Sequence, residues 1–279
     1  MHNQPGQQAP APQPLPGVEA IIAVGSGKGG VGKTTLSVNL AIALQKMGYK
    51  VGLLDADVYG PNVPLMLGVN GQPRMVGENR IEPLEAYGIK VISVGFLNPG
   101  DKPVIWRGPM LHSIVRQFLG QVEWGKLDYL IIDLPPGTGD VALSLIQTVP
   151  VTGAVVVSTP SDVSLQDARK AIEMFRQMKV DLVGMVENMS YFVCPHCQHE
   201  VDVFSRGGAE KTARQFSVNF LGSVPLDPKI REAGDSGKPT ALNGEKSAQA
   251  EALFEFARKV VTRTEEINAN SAAGVIQIQ

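Results

Sequence analysis

The chain has 279 residues, a formal charge of −2 and two cysteines. That length is enough for one large α/β domain with a sizeable core, and the near balance of charge excludes a global drive toward nucleic acid or an anionic membrane. There is no apolar run of about 18 residues to span a bilayer, no signal-peptide pattern, and too few cysteines for a disulfide framework. The expected setting is therefore the reducing cytoplasm.

In chain order, residues 1–17 open with MHNQPGQQAPAPQPLP, rich in Pro and Gln and poor in apolar bulk, which predicts a disordered leader. Residues 18–24, V-E-A-I-I-A-V, predict a buried strand, and 35–47 predict a helix. Between them lies G-S-G-K-G-G-V-G-K-T-T at 25–35, which contains G-x-x-x-x-G-K-T. Glycines let the backbone close around a triphosphate and aim N–H donors at its oxygens, while the helix start favours an anion. Gly27, Lys28, Gly29, Gly30, Val31, Gly32, Lys33, Thr34 and Thr35 are thus the expected nucleotide contacts. Lys33 brings a charge to the β- and γ-phosphates, and the Thr34 hydroxyl is a Mg²⁺ ligand.

The second lysine, Lys28, makes this the deviant form of the P-loop, and here the chain resembles the MinD/NifH-like dimerising ATPases. The resemblance implies that Lys28 reaches the nucleotide of a partner subunit. Residues 50–55, K-V-G-L-L-D, predict a parallel strand that delivers Asp55, and D-A-D-V-Y-G-P-N then resembles switch I of that group. The resemblance assigns Asp57 to the attacking water and Asp55 to the surroundings of Mg²⁺. As a plain alternative, both aspartates cap the next turn.

Residues 70–86 predict short edge strands, 88–95 a buried strand, and 107–120 a helix with apolar residues at 110, 111, 114, 115, 118 and 119. Arg107 precedes that helix with no firm role. D-Y-L-I-I-D at 128–133 is a hydrophobic strand ending in an acid, so Asp133 is expected to meet Thr34 and the hydrated Mg²⁺. L-P-P-G-T-G-D follows as a switch loop, with Asp140 expected to cap a helix over 141–148. Further strands are predicted over 153–160 and 180–190, with an amphipathic helix over 164–178 between them. The strand ending near 188 delivers Asn188, which the resemblance assigns to the adenine edge. Pro225 and Asp227, in the later P-L-D-P turn, are assigned to the same pocket on the same ground.

Residues 191–200, Y-F-V-C-P-H-C-Q-H-E, hold both cysteines, Cys194 and Cys197. Three readings compete: a redox dithiol, zinc, or an iron–sulfur cluster. A tetrahedral metal or a cluster needs about four ligands, and a two-fold dimer supplies the same loop twice. His196 and His199 are not expected as ligands. Together with E-N-M-S-Y-F-x-C-P-x-C and F-S-R-G-G-A-E-K, the motifs above resemble the Mrp/ApbC iron–sulfur carrier ATPases over roughly 18–262. The resemblance implies a homodimer holding a labile [4Fe–4S] cluster on Cys194 and Cys197 of both subunits. ATP and Mg²⁺ are the implied cofactors. A donor scaffold supplies the cluster, and apo iron–sulfur proteins receive it. Many relatives carry a small N-terminal domain or an N-terminal four-cysteine site, and neither is expected here.

The strand–helix alternation predicts a doubly wound, mostly parallel α/β sheet in one P-loop ATPase domain over 18–263, followed by a flexible tail at 264–279. The catalytic set is Lys28, Lys33 and Asp57, and the Mg²⁺ set is Thr34, Asp55 and Asp133. Two alternatives stand beside the carrier: a MinD-like positioning switch and a zinc-bridged dimeric ATPase. The first uses a basic membrane-seeking C-terminal helix, whereas 251–266 holds four acids against three bases.

Overall fold

The structure, a computed structural model, describes residues 14–276 except 78, 98–107, 140–141, 144–145, 149, 195 and 198. The expectations for residues 1–13, Arg107 and Asp140, and much of that for helix 141–148, fall outside the described residues.

The strands are β1 (Val18–Ser26), β2 (Val51–Asp55), β3 (Arg74–Val76), β4 (Arg80–Glu82), β5 (Leu84–Ala86), β6 (Ile89–Ser93), β7 (Leu127–Asp133), β8 (Gly153–Ser158), β9 (Leu182–Glu187), β10 (Phe192–Val193), β11 (Glu200–Val201) and β12 (Phe220–Ser223). The main sheet has eight strands in the order β12-β9-β8-β1-β7-β2-β6-β5. Every pairing in it is parallel except β5 with β6, at one edge. The doubly wound parallel sheet is therefore as expected. Two antiparallel hairpins, β3-β4 and β10-β11, stand apart from it.

The central strands are buried on both faces, which is why they read as unbroken apolar runs rather than alternating ones. Along β1 the pleat sends Ile22 and Val24 to one core and Ile21 and Ala23 to the other. The first core is covered by α1 (Lys33–Lys46) and the long C-terminal helix α7 (Ala248–Ile276), with α2 (Val63–Leu67) and α6 (Pro228–Asp235) at its rim. The second is covered by α3 (Gly108–Gln121), α4 (Asp162–Gln177) and α5 (Gly208–Gln215). The carboxyl ends of β1, β2 and β7 thus deliver Ser26, Asp55 and Asp133 to one edge, where open α/β sheets bind ligands.

Two boundaries need correction. The leader does not extend to residue 17, because Leu15 packs against the second core and its carbonyl accepts from Val18 N–H. The tail is not loose from 264, since α7 runs on to Ile276 with Thr264 and Ile267 buried. Polar residues dominate this stretch, but Ile267 keeps the helical register and meets the start of β8, where a Cβ on Gly153 would lie 3.3 Å from its Cδ1. Ile267→Ala should therefore lower the unfolding free energy by about 2–4 kcal/mol, read from urea denaturation. A loose tail would give no change.

Candidate functional site: a P-loop cleft and a cysteine hairpin

The loop between β1 and α1 is shaped by glycines at two positions in particular. A Cβ on Gly27 would lie 2.1 Å from the backbone of Asp167 in α4, so only glycine lets the loop lie against that helix. Gly32 caps α1 at φ +82° in the left-handed region, and a Cβ there would lie 2.1 Å from Asn188 Nδ2. Gly29 and Gly30 have nothing near their added Cβ positions, so the loop's outer rim is open. Lys28 is among the residues lining the cleft, and among the described residues its ammonium has no ion-pair partner.

Below the loop, Lys33 is buried among acids. Its Nζ lies 2.8 Å from Asp133 Oδ2 and 3.4 Å from Asp57 Oδ2. Thr34 Oγ1 donates to Asp133 Oδ2 at 2.7 Å, and Ser37 Oγ donates to Asp133 Oδ1 at 2.6 Å. Asp55 and Asp133 are directly opposed partners on β2 and β7. Asp55 is fully buried and accepts from Asp57 N–H at 3.0 Å and from Ser93 Oγ at 2.8 Å. Lys33, Thr34, Asp55, Asp57 and Asp133, chosen from separate stretches of sequence, thus converge on one point.

The electrostatics follow from this crowding. Burial works against the Lys33 charge, but Asp133, Asp57 and Asp55 outweigh it and hold the ammonium above its usual range. Burial, then the Asp133 charge, pushes Asp55 up to about 7. Burial also raises Asp57, with Asp133 adding to the rise and Lys33 opposing it. Three carboxylates against one ammonium leave the point short of positive charge. The donors are hard oxygens, including a hydroxyl at the P-loop, and this set fits Mg²⁺.

The cleft above has a volume of about 670 Å³ and is lined by the P-loop, Asp57, Tyr59, Asn188, Pro225 and Asp227, among others. Asn188 is buried beside the P-loop, and its Nδ2 donates to Val31 O at 2.8 Å. Asp227 caps α6 by accepting from Lys229 N–H at 2.7 Å, and it also accepts from Gln249 Nε2. Both side chains therefore already hold protein contacts, in addition to the base-binding parts expected of them.

Cys194 and Cys197 lie elsewhere, at the tip of the β10-β11 hairpin and outside the cleft lining. Cys194 N–H donates to His199 O at 3.0 Å, which closes the ladder just below the tip. Cys194 is half-buried, and Cys197 and His196 are exposed. Hydrogen bonds from the backbone N–H groups of Cys197 and His196 and from the Cys197 side chain lower the Cys194 thiol below its ordinary range, favouring the thiolate. Arg206 stacks over the Tyr191 ring at 4.3 Å and pairs with Glu200 at 2.5 Å, bracing the hairpin's base.

Three supporting residues were missed by sequence reasoning: Ser37, Ser93 and Glu187. Ser37 carries a faint signal, one helical turn after Lys33 and on the same face. Ser93 and Glu187 end strands, but nothing in their spacing announces a partner.

Residues 17–261 match the family described as ParA: NUBPL iron-transfer P-loop NTPase. Among curated relatives, the iron-sulfur cluster carrier protein of Aquifex aeolicus is 49% identical over 258 residues, covering 92% of this chain and 71% of its own length. The mouse iron-sulfur cluster transfer protein NUBPL is 48% identical over 256 residues, covering 91% and 80%. Among solved structures, a nucleotide-binding protein from Archaeoglobus fulgidus in complex with ADP is 39% identical with a TM-score of 0.74, covering 87% of this chain and 93% of that one. The septum site-determining protein MinD from Pyrococcus horikoshii, at 24% identity and TM-score 0.66, shares the fold. With its P-loop, paired strand-end acids and cysteine hairpin in place, this chain belongs to the NUBPL-type iron-transfer P-loop NTPases.

Proposed function

We propose that the chain is an ATP-hydrolysing carrier of [4Fe–4S] clusters that works as a homodimer. It receives a cluster from a donor scaffold and passes it to apo-proteins. The observation that carries this reading is the pairing of two thiol ligands on a projecting hairpin with a complete P-loop acid–lysine centre in the same chain. Two thiolates make half of a cluster's ligand set, so a second copy must bring the rest. The family membership and the printed names of the relatives support the cargo.

At the nucleotide, Lys33 exchanges its carboxylate contacts for the β- and γ-phosphate oxygens, and the loop amides bind the remaining charge. Thr34 and Asp133, with Asp55 behind them, would hold Mg²⁺, which neutralises phosphate charge when bound. Asp57 orients a water for in-line attack on the γ-phosphorus. The bond to the β-phosphate oxygen breaks, ADP leaves, and the water's proton passes to the released phosphate. Lys28 acts across the dimer, and Asn188, Pro225 and Asp227 receive the adenine.

Anaerobic purification with iron, sulfide and zinc analysis, combined with light scattering, tests the reading. The expected result is about four irons and four sulfides per dimer, while stoichiometric zinc or a cluster-bearing monomer would overturn it. The end of β11 and the segment after it also expose Val201, Val203 and Phe204, a set that a second copy would cover. Introducing Val203→Asp with Phe204→Asp should weaken the cluster-loaded dimer at least about tenfold, on the order of 1.4 kcal/mol, by sedimentation equilibrium. An unchanged dissociation constant would exclude this face from the interface.

A further inference from the structure

The cysteine hairpin leaves the core and returns to it at a single buried side chain. Glu187 ends β9 and has no solvent exposure. Its Oε1 accepts from Ser190 Oγ at 2.6 Å, just before β10 on the way out, and from Gly207 N–H at 3.0 Å, at the cap of α5 on the way back. Its Oε2 accepts from Ala209 N–H at 2.7 Å in the first turn of α5, a helix whose own cap residue, Gly207, offers no side chain. One carboxylate therefore clasps both ends of the excursion that carries Cys194 and Cys197, and nothing in the cleft chemistry uses it.

The next residue, Asn188, touches the P-loop through Val31 O and fills the space a Gly32 side chain would need. Adjacent side chains at one strand end thus grip the nucleotide loop on one side and the hairpin base on the other. Between Asn188 and Ser190 the chain passes through Met189 at φ +55°, a left-handed conformation that a non-glycine residue keeps only when its surroundings fix it. A displacement of Asn188 by an arriving base has little slack to absorb it before it reaches Glu187.

We propose that Glu187 is a positioning residue that makes the cysteine hairpin respond to nucleotide occupancy. Asn188 senses the cleft, and the Glu187 clasp passes the change to Gly207, Ala209 and the hairpin. This rests on the carrier reading for its cargo. A ligand shifts a second site only through contacts that differ between its bound and free states, and these are the contacts the structure offers.

The test compares wild type with Glu187→Ala. Cluster release to an iron chelator is followed with and without Mg²⁺ and a non-hydrolysable ATP analogue. The wild-type rate is expected to change at least about fivefold with nucleotide, as coupling energies of the usual size imply, and the variant ratio is expected to fall to within twofold of one. A purely structural role would speed release equally in both states and leave the ratio unmoved. Glu187→Gln, which keeps one acceptor oxygen, should give an intermediate ratio and serves if the alanine variant does not fold. Amide exchange at Gly207 and Ala209 in cluster-free protein provides a readout independent of cargo. Nucleotide should change their protection in wild type and not in the variant. A folded variant with the full wild-type response, or a wild type without any response at those amides, overturns the inference. Absence of a cysteine-bound cluster would instead overturn the carrier reading.

Discussion

Lys33→Ala should destabilise the nucleotide-free protein as well as disable it. The ammonium is nearly inaccessible and sits between Asp133 and Asp57, with Asp55 directly across the sheet from Asp133. Removing it leaves buried carboxylates facing one another without a cation, a change that costs about 3–5 kcal/mol when one partner of a buried pair is lost. Proton uptake by Asp55, already pushed up to about 7, relieves part of that repulsion, which places the expected loss at the lower end. Millimolar Mg²⁺ should recover stability in the variant more than in wild type, because it supplies the missing charge to oxygens that lysine otherwise occupies. ATP turnover should fall by about 10²–10³, the usual consequence of losing one donor aimed at developing charge. Thermal or urea unfolding with and without Mg²⁺, beside a phosphate-release assay, checks both halves. Wild-type stability in a magnesium-free variant would mean that the carboxylates are not held in register by Lys33.

The same cluster shows what was legible in the sequence. Gly27, Gly32, Lys33, Thr34 and Asp133 announce themselves because phosphate chemistry demands particular residue types at fixed spacing or at strand ends. The alternation of apolar runs and amphipathic segments carries the parallel sheet for a similar reason, since each element's period follows from what covers it. Ser37 and Ser93 carry no such mark. Each is a small hydroxyl whose value lies in a carboxylate far away in the chain, 96 residues for Ser37 to Asp133 and 38 for Ser93 to Asp55. Glu187 reads as the polar end of a strand until Gly207 and Ala209 return to it. The end of α7 was misread because the burial of Ile267 is decided by its meeting with the start of β8, not by the polar composition around it. Asn188 was legible as a cleft residue, while its bond to Val31 O was not.

Serine at either cysteine should abolish cargo binding while leaving the fold intact, because the hairpin tip lies outside both cores. In the proposed two-fold dimer each substitution removes two of four thiolates at once, so Cys194→Ser and Cys197→Ser should each lower iron and sulfide content at least about tenfold, the more so because clusters are held by thiolate rather than hydroxyl. The two positions are not equivalent. Cys194 is half-buried and receives the N–H groups of Cys197 and His196, so its thiolate is prearranged, whereas Cys197 is exposed. Cys194→Ser is therefore expected to be the more complete loss. A mixed dimer of one wild-type and one Cys194→Ser chain retains three thiolates and should hold cluster with intermediate, faster-decaying absorbance near 400 nm, the sulfur-to-iron charge-transfer region. ATP hydrolysis by the cysteine variants, measured alongside, separates ligand loss from misfolding. Equal iron and sulfide in the wild type and the Cys194→Ser homodimer would show that the cargo is bound elsewhere, and intact cargo in a single isolated chain would show that no second hairpin is needed.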